Sequence, residues 1–406
     1  MVTVDVRFTI LAPIVPIYFD NHATTQVDPR VVEAILPTFT QTYGNPSSVG
    51  HLFGEEAKQL VETSQQSIAA AIGAETSEIV FTSGATESNN LAISGVLTQR
   101  RRRGNHVVTV TTEHKAVLDP LEQWEHQDFE VTRLSPRQAG DSLAGMLDTD
   151  QVRDAIRPDT ALVSVMLANN EIGVIHPIAE IGQICKEQGV LLHCDATQAV
   201  GKIPVDVEHL GIDLMSFSGH KMYGPKGIGG LYVRKRNPRV RLQPAIFGGG
   251  QQRGMRSGTL NVPGIVGLAE AVRLSLAEID QESQRLAHLR EQLWSGLNER
   301  ISGLHLNGPV LEAENARLAG NLNFAVEKVD GEALMMNVRE IAVSSGSACT
   351  SANPQPSHVL RAIGLSEDLT RSSLRFGIGR FNTAQDVEFA VDVVARAVDK
   401  LRKLIA

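Results

Sequence analysis

An α/β fold, with a mostly parallel central sheet, helices on both faces and a smaller α+β domain beyond it, is predicted by three features of this 406-residue chain. Short runs rich in β-branched residues recur between about 78 and 233. Amphipathic stretches separate most of them, an alternation that produces parallel strands with helical crossovers. From about 264 the pattern changes to one long helix, which predicts the passage into a second domain. The expected division is a large domain over 28–278 and a small one made of 1–27 and 279–406.

The strand candidates are EIVFT, HVVTVTT, TALVSVML, GVLLHC, IDLMSF and GGLYV, in chain order. A helix is expected over 86–99, ahead of the cationic run Arg100 to Arg103, which suits a solvated helix C-terminus. Over 178–189, Ile178, Ile181, Ile184 and Cys185 fall on one face. Leu286, Leu289, Leu293 and Leu297 keep helical spacing within 264–301, and Val387, Ala390, Val391, Val394 and Leu401 do so within 385–404.

Composition narrows the function classes. A formal charge of −8 argues against a surface built to coat nucleic acid or an anionic membrane. The only cysteines are Cys185, Cys194 and Cys349, with no C-x-x-C pair and no Cys/His cluster at zinc spacing, so a reducing compartment, the cytoplasm, and no metal are expected. The apolar start is broken by Asp5, Arg7, Pro13 and Pro16 and lacks a basic segment before an apolar one, so no secretory signal is expected.

Four local patterns carry chemistry. Lys221 follows the strand IDLMSF in Ser218-Gly219-His220-Lys221. A lysine at the mouth of a parallel sheet is partly desolvated, which lowers its pKa and leaves an amine able to form a Schiff base. A solvated surface lysine is the alternative. Asp195 ends the strand LLHC and would stand at the same sheet edge, where it could hold a pyridine nitrogen protonated. Capping of the turn Ala-Thr-Gln explains the same aspartate.

Ser83-Gly84-Ala85-Thr86-Glu87 is a small-residue turn that opens a helix, which suits a phosphate or simply a cap. Cys349 lies in a run of small polar residues, Ser344 to Pro354, with no apolar period, which reads as a loop. Cys185 and Cys194 lie in apolar patterns typical of buried thiols. No G-x-x-x-x-G-K-[ST] occurs, and no G-x-G-x-x-G sits between a strand and a helix, so a nucleotide enzyme is poorly supported.

Together these residues resemble the cysteine desulfurases, pyridoxal-phosphate enzymes of the aspartate-aminotransferase-like fold type. The resemblance runs from about Tyr18 to Leu401 through FDNHATT, GNPSS, FTSGATESNN, TEHKAV, NNEIG, DATQAVGK, SGHKMYGPKGIG, GGGQQRGMRSGTLN, SSGSACTSA and LRFGIGRF, in that order. It implies that Lys221 binds the cofactor covalently, Asp195 faces its ring nitrogen, Gln198 lies near the ring hydroxyl and His114 stacks on the ring and moves protons. Ala85, Thr86, Ser218 and His220 would hold the phosphate, with Thr259 reaching that of the neighbouring subunit in a homodimer. Asn170 and Arg375 would receive the substrate carboxylate, and the Cys349 thiolate would take the sulfur of L-cysteine as a persulfide.

That persulfide would pass to acceptor proteins such as an iron–sulfur scaffold. The loop from Ser344 to about Ser357 resembles the longer-loop group of the family. The chain stops soon after its last helix, where some relatives carry a tail that docks the scaffold. Two other readings stay open: a selenocysteine lyase or other pyridoxal-phosphate enzyme, for which Cys349 would matter less, and an inactive relative that serves as a binding partner.

Overall fold

The computed structural model describes residues 15–100, 104–345 and 356–405. Its central sheet has seven strands: β1 Ile79–Thr82, β2 His106–Val110, β3 Glu130–Leu134, β4 Thr160–Ser164, β5 Leu191–Asp195, β6 Leu214–Ser218 and β7 Gly229–Val233. Their spatial order is β1-β7-β6-β5-β4-β2-β3. Six of the seven strands fall within or overlap the runs anticipated from β-branched content. The seventh, β3, was not anticipated: its EVTRL mixes charged and apolar residues because it forms the edge of the sheet, with a half-exposed face.

The mostly parallel prediction holds, with one departure. β7 runs antiparallel to both β6 and β1. Only the ten residues 219–228 join β6 to β7, without an α-helical crossover between them, and a parallel return needs such a crossover. β1 and β4 to β7 are buried along their whole length, and helices cover both faces of the sheet through two separate hydrophobic clusters.

The helices fall close to where the periodicity places them: Ala85–Arg100, Ile178–Gln188, Val262–Arg300 and Ala384–Ile405. The third is 39 residues long, about 58 Å at 1.5 Å per residue. Its first third, from Val262 to Leu274, packs into the core beneath the central sheet. Leu289, Leu293 and Leu297 near its other end pack into a second core.

That second core lies under a four-stranded antiparallel sheet made by Leu304–Leu306, Asn321–Val326, Ser344–Ser345 and Ser373–Gly377. The C-terminal helix covers it with Val387, Ala390, Val391, Val394 and Leu401. Phe19, from the opposite end of the chain, is fully buried in the same core and lies edge-on to Phe376, with ring centroids 5.5 Å apart. The segment after Phe19 thereby leaves this core and enters the cleft between the two sheets.

Arg380 ties the two halves. It lies 4.2 Å from the centre of the Tyr223 ring and pairs with Asp28 at 2.8 Å and Glu282 at 2.9 Å. Hydrogen bonds from Arg30 and Arg380 outweigh burial and hold the Asp28 carboxyl well below the usual carboxylate range. Among the described residues no helix is long and apolar enough to cross a membrane.

Candidate active site

A cavity of about 600 Å³ opens beyond the carboxyl ends of the central strands, where ligands collect in open α/β sheets. Lys221, Asp195, Gln198, His114, Ala85, Thr86, Ser218, His220, Asn170 and Arg375 all line it. Thr259 does not; it is exposed on the loop before the long helix. Cys349 and its neighbours 346–355 lie outside the described residues.

Lys221 is placed by a stitched pair of segments. The Thr25 amide donates to the His220 carbonyl at 2.9 Å and the Tyr223 amide to Thr25 Oγ1 at 2.8 Å. The Lys221 ammonium donates to the carbonyls of His22 and Ala23, each at 2.7 Å. Burial, with Arg375 nearby, pushes its pKa down to about 8, so close to neutral pH a useful fraction is free amine.

Asp195 ends β5 and meets both readings of its position. Its Oδ1 accepts the Thr197 amide at 3.0 Å, which caps the following turn, and its Oδ2 accepts Asn89 Nδ2 at 2.7 Å. It is buried and still lines the cavity. His114 caps the helix Lys115–Glu125, its Nδ1 accepting the Ala116 amide at 3.0 Å. The neutral ring therefore carries its proton on Nε2. Burial depresses the His114 pKa, which keeps that neutral form at physiological pH.

At one end of the cavity the helix Ala85–Arg100 begins, with Ala85 and Thr86 in the lining. Gly84 turns there with φ of +152°, a conformation side chains disfavour. The first amides of a helix have no partner within it and point outward. His220 Nδ1 lies 3.1 Å from Thr24 Oγ1, and burial beside Lys221 and Lys226 lowers the His220 pKa to about 4. Burial raises the Glu87 pKa, but hydrogen bonds from Arg256 and Ser83 outweigh it and keep this carboxyl ionised. Glu87 thus accepts the Ser83 amide at 2.7 Å and Arg256 Nε at 2.8 Å.

On the facing side, Arg375 reaches in from the small sheet. Its Nη2 donates to Asp20 Oδ1 at 2.8 Å and Ser344 Oγ at 2.9 Å, and its Nη1 to the Asn170 carbonyl at 3.2 Å. Asn169 shapes the loop that presents Asn170: its Oδ1 accepts the amides of Glu171 and Ile172. Gly173 closes that loop with φ of +71°, and a Cβ there would stand 2.5 Å from the Asn321 side chain.

Several residues of this site were not foreseen. Glu113, beside His114, is fully buried; its Oε1 accepts the Met166 amide at 2.6 Å and burial raises its pKa well above normal. Ser357 donates to the buried Glu171 carboxylate at 2.5 Å, and His358 donates to the Glu113 carbonyl at 2.9 Å. Lys202 donates to Gln198. Gln198 and Lys202 lie in a turn segment, not a helix, so their spacing carried no pairing signal. The others read as ordinary surface polar residues. Cys185 and Cys194 are buried free thiols, as anticipated, and burial raises both pKa values, that of Cys185 to about 12.

The profile of the aminotransferase class-V family matches residues 17–389. Cysteine desulfurase IscS of Anaeromyxobacter dehalogenans (strain 2CP-C) is 55% identical over 390 residues, covering 96% of this chain and 94% of the relative. The protein of the same name from Rickettsia rickettsii (strain Iowa) is 50% identical over 389 residues, covering 96% and 92%. Among solved structures, a NifS-like protein superposes with a TM-score of 0.86 at 35% identity, covering 95% of this chain and all of its own. SspA in complex with cysteine gives 0.78 at 37% identity, covering 90% and 99%.

Proposed function

The chain belongs to the aminotransferase class-V family, and from that premise we propose that it is a pyridoxal-phosphate-dependent cysteine desulfurase, a sulfurtransferase. L-Cysteine and the Cys349 thiol would give L-alanine and a persulfide on Cys349. The observation that carries this reading is the convergence of Lys221, Asp195 and Arg375 on one cavity. An amine of lowered pKa, a buried carboxylate and a guanidinium are the three groups that covalent attachment, ring protonation and carboxylate binding require.

The donor set fits the cofactor. Lys221 would attach it, Asp195 would face the ring nitrogen, His114 would stack on the ring and Gln198 would meet the ring oxygen. Ala85 and Thr86 at the helix start, with Ser218 and His220, would hold the phosphate, with Lys226 on the same cavity wall. Bound pyridoxal phosphate supplies an electron sink that lets bonds to the substrate α-carbon and β-carbon break heterolytically.

The chain's own groups do the rest. Arg375 exchanges its Asp20 partner for the substrate carboxylate, a bidentate grip that fixes the amino acid, with Asn170 beside it. Lys221, near its pKa of about 8, takes up and returns protons. His114, protonated on Nε2 and lining the same cavity, would offer a second proton site. The Cys349 thiolate attacks the substrate sulfur; the S–S bond forms as the C–S bond breaks, and the β-carbon then takes a proton to become the methyl group of alanine.

The same reading extends to organisation. It takes 28–278 as the cofactor-binding domain and 1–27 with 279–406 as the small domain carrying the cysteine loop. A homodimer with Thr259 reaching the neighbouring subunit is supported by the exposed Leu36, Phe39, Tyr43, Leu52 and Phe53. Sulfur-acceptor proteins, an iron–sulfur scaffold among them, and a cytoplasmic location complete it.

Loaded with pyridoxal phosphate and given L-cysteine, the protein is expected to release alanine and to carry one extra sulfur on Cys349 by mass spectrometry. Cys349→Ala is expected to keep the visible absorption of the bound cofactor and to make no alanine. Unchanged turnover in that variant removes the proposal.

A further inference from the structure

Behind the ring side of the cavity, Lys202 and His22 close on one amide. Lys202 Nζ donates to Gln198 Oε1 at 2.5 Å, and His22 Nδ1 lies 3.2 Å from the same oxygen. Gln198 Nε2 donates to the His22 carbonyl at 2.9 Å. A primary amide has two acceptor sites on oxygen and two hydrogens on nitrogen. Here both oxygen sites face donors and one hydrogen is committed, so Gln198 offers the cavity a single N–H and no acceptor.

The chemistry of the neighbours fixes which way the amide lies. Reversed, it would set its NH2 group against the lysine and its oxygen against a peptide carbonyl. This holds whether Lys202 is charged or neutral, since either form donates. Lys202 also lines a small chamber of about 30 Å³ together with His22, Tyr223 and Glu282. Lys221, Arg375 and Glu282 are the charged groups that act on it, and burial with the two cations brings its pKa to about 7. An amine held at such cost beside one amide, and lining the small chamber rather than the larger cavity, needs a reason.

We propose that Lys202 is a positioning residue for the cofactor's ring oxygen: acting through Gln198, it keeps an N–H directed at that oxygen and favours its ionised form. The proposal rests on the cofactor reading above. The cation polarises the amide, and a hydrogen bond within such a chain is stronger than an isolated one. Lys202 itself touches neither substrate nor cofactor.

The test compares the parent with Lys202→Met, Lys202→Arg, Gln198→Met and the double variant, each stripped of cofactor and reloaded. Two quantities are read: the dissociation constant for pyridoxal phosphate, and the ratio of the visible band, from the ionised ring oxygen, to the near-ultraviolet band, from the protonated one. Lys202→Met is expected to weaken binding and lower the ratio, each by about tenfold, the weight of one charge-assisted hydrogen bond. Lys202→Arg, which keeps the charge and the donor, is expected to restore most of the ratio. In the Gln198→Met background, removing Lys202 is expected to add nothing, because the lysine works only through that amide.

Should Lys202→Met not fold, Lys202→Gln is expected to shift both quantities in the same direction by less. Parental binding and band ratio in Lys202→Met, even with a lowered melting temperature, overturn the proposal and leave a packing role. An undiminished effect in the Gln198→Met background overturns it as well. A parent that takes up no cofactor overturns the functional reading, and this proposal with it.

Discussion

On the sheet side of the cavity, Asp195 and Ser218 stand at the ends of fully buried strands, and Lys221 follows three residues after one of them. On the opposite side, Arg375, Ser344 and His358 arrive from a smaller antiparallel sheet and a five-residue helix, and are held by side chains of Asp20 and by the backbone of Asn170 and Glu113. The first group is fixed by a sheet hydrogen-bonded along its length; the second is fixed by contacts that cross between two separate cores. The difference separates tasks: the wall that would hold a resident cofactor is built on continuous strand pairing, and the wall that would receive and release substrate depends on exchangeable polar partners.

Lys221→Met is the strongest test of the sheet side. Desulfuration is expected to fall on the order of a thousandfold or more, as for other residues that form the covalent link. Its effect on the cofactor-free fold should have the opposite sign. The Lys221 pKa is about 8 when folded, against 10.5 for the free side chain. Below pH 8 both folded and unfolded chains carry the proton, and the full cost of burying the cation is present. Between pH 8 and 10.5 the folded state has lost the proton while the unfolded state keeps it, so stability rises with pH. The variant is expected to exceed the parent by up to about 3 kcal/mol at pH 7 in urea unfolding, with the gap closing above pH 10. A gap that widens with pH would break this account.

Arg375→Lys probes the facing wall. Losing the bidentate fork is expected to raise KM for cysteine about ten- to a hundredfold, with the cofactor spectrum unchanged. A lost spectrum with an intact KM would erase the proposed division between the walls. Ser357→Ala is the mildest change. It strips a hydrogen bond from the buried Glu171 and is expected to cost about 1–3 kcal/mol in urea unfolding without altering cofactor affinity.

The same contrast explains what the sequence made legible. Asp195, His220 and Lys221 could be named because strand ends and chemically distinctive residues coincide in short motifs. The long helix and the C-terminal helix were readable from apolar spacing, since burial and periodicity express the same packing. β3 was missed because an edge strand lacks the apolar run of its buried neighbours. The reversed β7 was missed because direction is decided by the length and form of a connection, not by strand composition.

Glu113, Glu171 and Lys202 illustrate the remaining gap. Each is a charged residue type whose surroundings are imposed by elements far away in the chain: Met166 over the buried Glu113, Ser357 over the buried Glu171, and His22 beside the amide that the half-buried Lys202 holds. No window of neighbouring residues carries that information. Arg375 became a candidate through resemblance to a family, since its spacing alone sets it apart from no other arginine.

A single unbroken rod, Val262–Arg300, is embedded at one end beneath the seven-stranded sheet and at the other beneath the four-stranded one. Melting either end exposes apolar side chains of the shared spine and withdraws support from its far half. Differential scanning calorimetry of the apoprotein should therefore record one heat-absorption peak, with calorimetric and van't Hoff enthalpies in agreement, rather than two transitions.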